Sequence, residues 1–234
     1  MQTFPGDAAS RNSESLSDRL AEAARYAVLH RLIPALHHDV AGAMQPVWML
    51  LMVLERRIQS TDPDLEAIAK NVMSISTLTK QATVDCMSAL GWMASSKDIH
   101  VSLRNSVDEA IKLLAMESSV NGLALVNGIA DHSATAPQVF LRSVVIGALL
   151  AFCDQYVAGG TLQVTFDAAT ADSQQPGKLQ LRRVPDATGT SPASLDVVRK
   201  YRMIGWPDVE AMANSCGVQM ARGDGWLTLD LPNC

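Results

Sequence analysis

Residues 29–57 read LHRLIPALHHDVAGAMQPVWMLLMVLERR, and the spacing inside this stretch decides the fold. Apolar residues recur at Leu32, Leu36, Val40, Met44, Val47, Leu51 and Leu54. Steps of three and four make one buried stripe on a long helix. His38 lies two residues from Leu36 and two from Val40, off that stripe, so its imidazole is expected in solvent. Pro46 has no N–H for the carbonyl four residues back, and its ring presses on that turn. The residue there is Gly42, which has least to clash, so a kink just past His38 is expected. An exposed histidine followed by Asp39, on an amphipathic helix above a kink, is the feature that needs a chemical explanation.

Upstream, residues 1–14 (MQTFPGDAASRNSE) are polar and small and are expected to form a disordered tail. A helix is expected to start near Ser15, with Asp18 three residues on in capping-box spacing. It runs to Pro34, which either kinks it or opens the next helix at its first turn. Downstream, residues 59–62 form a turn, with Asp62 as a cap and Pro63 at the first helical position. The next helix carries Leu65, Ile68, Val72, Ile75, Thr79, Ala82, Cys86, Ala89 and Met93, a pattern sustained for about four heptads. Residues 15–98 thus read as a helical hairpin. Each helix retains an exposed stripe. Two copies would cover these stripes as a homodimeric four-helix bundle; alternatively the hairpin packs on its own C-terminal domain.

From Val101 the pattern changes. A helix over 103–118 precedes a short strand at 123–126. An apolar helix over 138–156 is stopped by Gly159-Gly160, and strands follow at 161–167 and 178–184. Helices are predicted at about 194–201 and 207–215. Strands at 218–221 and 226–231 close a hairpin around Arg222-Gly223-Asp224-Gly225. Trp206 and Trp226 are expected as core anchors. The whole is α+β: a hairpin domain, then over 99–234 one mixed sheet with helices on one face.

The bulk composition narrows the partners. With 234 residues, 48% hydrophobic, the chain can bury a sizeable core. A net charge of -5 and no basic run argue against nucleic acid. The cysteines at 86, 153, 216 and 234 form no CxxC, which points to a reduced compartment and no metal cluster. Met1 to Asp18 has no apolar h-region, and Val47 to Leu54 is far too short to span a bilayer. The expectation is a cytoplasmic protein without a membrane segment.

A helical hairpin with His38-Asp39-Val40 and a later Pro46, followed by an α/β sandwich, resembles the core of bacterial sensor histidine kinases. The likeness spans about residues 16–232. LRSVVIGALLAFCDQYVAGGTLQV is similar to the family's ATP-site helix and following strand, and IGWPDVEAMANSCGVQMARGDGWLTLDLP to its last helix and hairpin. In kinases that first helix carries asparagines for Mg²⁺ and phosphate. Here Gly147 and Ala151 stand in those places and supply no side-chain oxygen. The adenine-reading loop survives at most as Asp186-Ala187-Thr188-Gly189-Thr190, and the glycine-rich lid is missing from 197–205. The resemblance therefore implies a phosphotransfer protein with a degenerate ATP-binding domain and no cofactor of its own.

Such a protein needs an exposed imidazole as nucleophile and a carboxylate to orient it or take a proton. His38 and Asp39 fit these roles, with His37 as the other candidate acceptor. The implied partner is a response-regulator receiver domain that brings its own Mg²⁺. Two other readings use the same residues. One is a non-catalytic pseudokinase or adaptor that binds a receiver domain or a kinase; the other is an active kinase with an atypical nucleotide site.

Overall fold

The computed structural model describes residues 6–92, 99–130, 134–156, 159–168, 177–185 and 202–231, with side chains from residue 16 onward. Helix α1 covers Gly6–Ile58 and helix α2 Leu65–Gly91. Helix α1 starts well before Ser15, so residues 6–14, expected in a tail, are helical. Nothing in Gly6–Glu14 breaks a helix after Pro5, and Ala8, Ala9, Arg11 and Glu14 favour one. Pro34 and Pro46 both lie inside α1, and Pro34 does not open a new helix. The cap of α2 also differs from expectation. Asp64, not Asp62, is extended at φ -72° and ψ 99°, and its Oδ1 accepts from the Ala67 N–H at 3.0 Å. Asp62 is instead drawn into the turn, its N–H donating to Ser60 Oγ.

Two compact units emerge. Residues 32–94 form one; residues 1–31 join residues 95–234 in the other. In the first unit, Leu36, Val47, Ala82 and Trp92 are buried, while Val40, Ala43, Leu50, Leu54, Ile68, Ile75 and Leu78 are half-buried. Met44 and Leu51, expected on that stripe, are instead 46% and 45% exposed. Ala43 and Leu50 take their inward places, and Met44, Trp48, Leu51 and Ile58 form a second, uncovered stripe.

The second unit is built on a five-stranded sheet: β2 (Leu123–Asn127), β4 (Gly160–Asp167), β5 (Lys178–Val184), β6 (Met220–Gly223) and β7 (Trp226–Asp230). Their order is β2-β4-β5-β7-β6, with β2 and β4 parallel and the rest antiparallel. A separate antiparallel pair, β1 (His100–Ser102) with β3 (Thr135–Pro137), was not legible in the sequence. Each of these strands is three residues long, too short to show alternation.

Alternation sorts the sheet's faces. Leu162, Val164, Leu179, Leu181, Leu227 and Leu229 are all 0% exposed. The buried side chains of three helices accompany them: Val107, Ala110 and Leu114 on α3 (Leu103–Val120), Leu149, Leu150 and Phe152 on α4 (Ile146–Gln155), and Val209, Met212 and Ala213 on α5 (Trp206–Ser215). A π-helical turn, Phe140–Val145, leads into α4. On the opposite face, register aligns Gln163, Arg182 and Trp226 across three strands, and all three are exposed. Trp226 is therefore no core anchor: Leu227 points inward, so its neighbour must point outward. The architecture is α+β, a helical N-terminal hairpin followed by an α/β domain. The predicted helix at 194–201 and the Asp186–Thr190 loop lie outside the described residues.

Candidate functional site

The side chain of His38 is 77% exposed, and that of Asp39 64%. His38 Nδ1 lies 3.7 Å from Asp39 Oδ1. That is too long for a direct hydrogen bond and close enough for one water or a small rotation to bridge. Its helical neighbours three and four residues away are Pro34, Ala35, Ala41 and Gly42. None is large enough to shield the imidazole, and a Cβ built on Gly42 would meet no atom within 4 Å. His37 is exposed as well, so exposure alone does not separate the two histidines.

In the α/β unit, the positions matching the family's metal-binding amides serve packing. A Cβ on Gly147 would come 2.5 Å from Met212 Cε and 3.6 Å from Val28 Cγ2. Ala151 is 2% exposed. A side chain at 147 would have to displace the end of the Met212 side chain on α5 and would touch Val28 on α1. Among the described residues, no group of three or more His, Cys, Asp or Glu side chains is placed to hold a metal ion.

Sequence reasoning missed a buried ion cluster in this unit. Arg31 on α1 donates from Nη1 to Asp154 Oδ2 at 2.9 Å and from Nη2 to Asp154 Oδ1 at 3.2 Å, a bidentate pair. The Arg31 guanidinium also reaches Glu117 on α3 and the carbonyl of Arg202. Asp154 Oδ2 accepts in addition from the Ile204 N–H at 2.8 Å. The side chains of Arg31 and Asp154 are 4% and 2% exposed. Burial by itself lowers the Arg31 pKa. The hydrogen bonds and charges of Asp154 and Glu117 outweigh it, and the guanidinium is held above its ordinary value. The partners are 123 and 86 residues apart in sequence, so no local pattern could have paired them. Nearby, Ala151, Asp154, Gln155, Arg202 and Trp206 line a groove of about 470 Å³. The Trp206 indole N–H is taken by Gln155, and Asp208 is taken by Arg202.

Compared with known proteins, the chain matches no family model and no curated sequence. Solved structures do match. One is a bacterial phosphotransferase, at 12% identity and TM-score 0.37, with 88% of this chain and 95% of that one covered. Another is the Acinetobacter baumannii histidine kinase AdeS, at 14% identity and TM-score 0.39, covering 78% and 94%. A third is the histidine kinase ThkA in complex with the response regulator protein TrrA, at 10% identity and TM-score 0.39, covering 94% and 66%. These are similarities of layout: a helical hairpin followed by an α/β domain. No helix among the described residues is long and apolar enough to cross a membrane.

Proposed function

We propose that this chain is a histidine phosphotransfer protein of two-component signalling, exchanging a phosphoryl group between His38 and a receiver-domain aspartate. The observation that carries this reading is the exposed His38 with a carboxylate beside Nδ1. A proton kept on Nδ1 leaves the Nε2 lone pair free on the side away from Asp39. Nε2 attacks phosphorus, the N–P bond forms, and the P–O bond to the receiver's aspartate breaks. The departing carboxylate stays on the receiver. The imidazolium that results keeps its Nδ1 proton, which Asp39 stabilises. The receiver supplies Mg²⁺, so this chain needs no metal of its own. Wild-type protein mixed with phosphorylated receiver domains should acquire an acid-labile, alkali-stable label. If a broad panel of receivers leaves it unlabelled, the adaptor reading replaces this one.

Nucleotide has no part in this reading, because Gly147 and Ala151 offer no oxygen and Gly147 faces Met212 and Val28. Calorimetry with millimolar ATP and Mg²⁺ should record no binding heat; a micromolar Kd would restore the kinase reading.

The reading also includes a homodimer. Trp48, Leu51, Met52 and Ile58 are 64%, 45%, 52% and 57% exposed and line a groove of about 420 Å³ near the hairpin turn. A run of large apolar side chains this open marks an interaction surface. A Trp48→Glu, Leu51→Glu variant would bury two unpaired charges in such a seam, costing several kcal/mol. Since both side chains are open to solvent in the single chain, the fold should survive. Light scattering should give twice the chain mass for wild type and the chain mass for the variant. A monomeric wild type, or a variant that stays dimeric, rejects this seam.

A further inference from the structure

We propose that the homodimer itself selects the phosphoacceptor: a second copy of the chain covers His37 and leaves His38 in solvent. The inference rests on the homodimer reading above, deepens the phosphotransfer reading, and uses residues of the hairpin alone. His37, Met44, Leu51 and Ile58 follow one another at steps of seven residues along α1. Seven residues fall within about 20° of two full turns, so these four side chains leave the helix in one row. Met44, Leu51 and Ile58 belong to the open apolar stripe, and His37 continues it beyond Met44. The same relation holds step by step. Met44 follows the inward Ala43, Trp48 follows Val47, Leu51 follows Leu50, and His37 follows the buried Leu36. His38 stands about 100° further round the helix, so the two imidazoles leave α1 on different sides.

Helix α2 completes the face. There the exposed Met87 follows the half-buried Cys86, and the exposed Leu90 follows the half-buried Ala89. The two helices of the hairpin run in opposite directions and turn their inward rows towards each other. The same one-residue step therefore carries both open rows to the same side of the hairpin. What covers that side is a second copy. Met44, Trp48, Leu51, Ile58, Met87 and Leu90 carry no charge, and a two-fold dimer lays such a face on itself, apolar against apolar. Both helices contribute large side chains, which suits a permanent interface, the more hydrophobic kind. A receiver domain must leave after each transfer and would uncover this face every time. In the single chain both histidines are open. In the dimer they are not equivalent, and the histidine left outside is the one with Asp39 beside its Nδ1.

The test measures how fast each imidazole reacts with diethyl pyrocarbonate, which acylates accessible neutral histidine. Tandem mass spectrometry assigns the product to His37 or His38. Wild type is compared with the Trp48→Glu, Leu51→Glu variant, whose substitutions lie more than two turns from either histidine. Light scattering on the same samples gives the mass. In dimeric wild type His37 should react about tenfold or more slowly than His38, because the core of an interface excludes solvent. In the monomeric variant the two should react within about twofold of each other, since nothing in the single chain separates them. A dimeric wild type in which His37 reacts as fast as His38 overturns the selection and leaves the dimer standing. A His37 that is slow in both proteins is shielded by its own chain, which also overturns it. A monomeric wild type, or a variant that stays dimeric, removes the seam and the inference with it. No phosphate enters these measurements, so the phosphotransfer reading is tested separately by labelling from a receiver.

Discussion

His38→Ala should abolish phosphoryl transfer and leave the protein folded. The His38 side chain is 77% exposed, and its Nδ1 lies 3.7 Å from Asp39 Oδ1, so the imidazole is reachable with a carboxylate beside it. Its removal costs the fold little, because an exposed side chain changes stability by roughly 0.5 kcal/mol or less. Label on the wild type and none on His38→Ala is the expected pair of results; His37→Ala should label normally. Should His37→Ala be the silent variant, the acceptor is His37 and the role given to Asp39 falls with it. Asp39→Asn should slow transfer by about 10²-fold if the carboxylate handles a proton, and far less if it only steers the ring. The 3.7 Å separation favours the smaller effect, because there is no direct hydrogen bond to lose.

The second large effect is on stability. Asp154→Ala should destabilise the α/β unit by about 3–5 kcal/mol, because it strands the Arg31 guanidinium with one carboxylate where it had two and frees the Ile204 N–H. For a unit of this size that is a fall in Tm of about 10 °C. The double Arg31→Met, Asp154→Leu variant should fall less, since neither buried charge of the pair remains, although it also frees the Ile204 N–H and leaves Glu117 without its arginine. Unfolding followed by circular dichroism distinguishes the two. Equal losses would mean that the cluster acts through packing volume and that its charges are incidental.

The helical layout was legible because long helices repeat their period many times. The strands at 161–167 and 178–184 were legible from alternation and from the turn residues that bound them. The faces of the hairpin were less so. A stripe read from Leu32 to Leu54 merged two adjacent rows, the inward one with Ala43 and Leu50 and the open one with Met44 and Leu51. Hydrophobicity alone favours Met44 over Ala43 for the inside, and only packing against a neighbour reverses that choice. His38 stood out because its position off the stripe is a local property. Arg31, Glu117 and Asp154 looked like ordinary surface charges, because a charge shows its burial only through partners distant in the chain.

The separation of those partners has a consequence for how the protein is made. Residues 21–31 leave the ribosome first, yet the groups that receive them, at Asp154 and Ser215, follow 123 and 190 residues behind their partners. At about 5–20 residues per second, this is roughly 6 to 40 s of synthesis. The contacts of residues 32–94 come from nearby sequence, whereas Ala21, Ala24 and Val28 are made long before the residues that bury them. A transcript or proteolytic product beginning after Arg31 would keep the histidine helix. It would leave Gly147, Met212 and Asp154 without the segment that covers them.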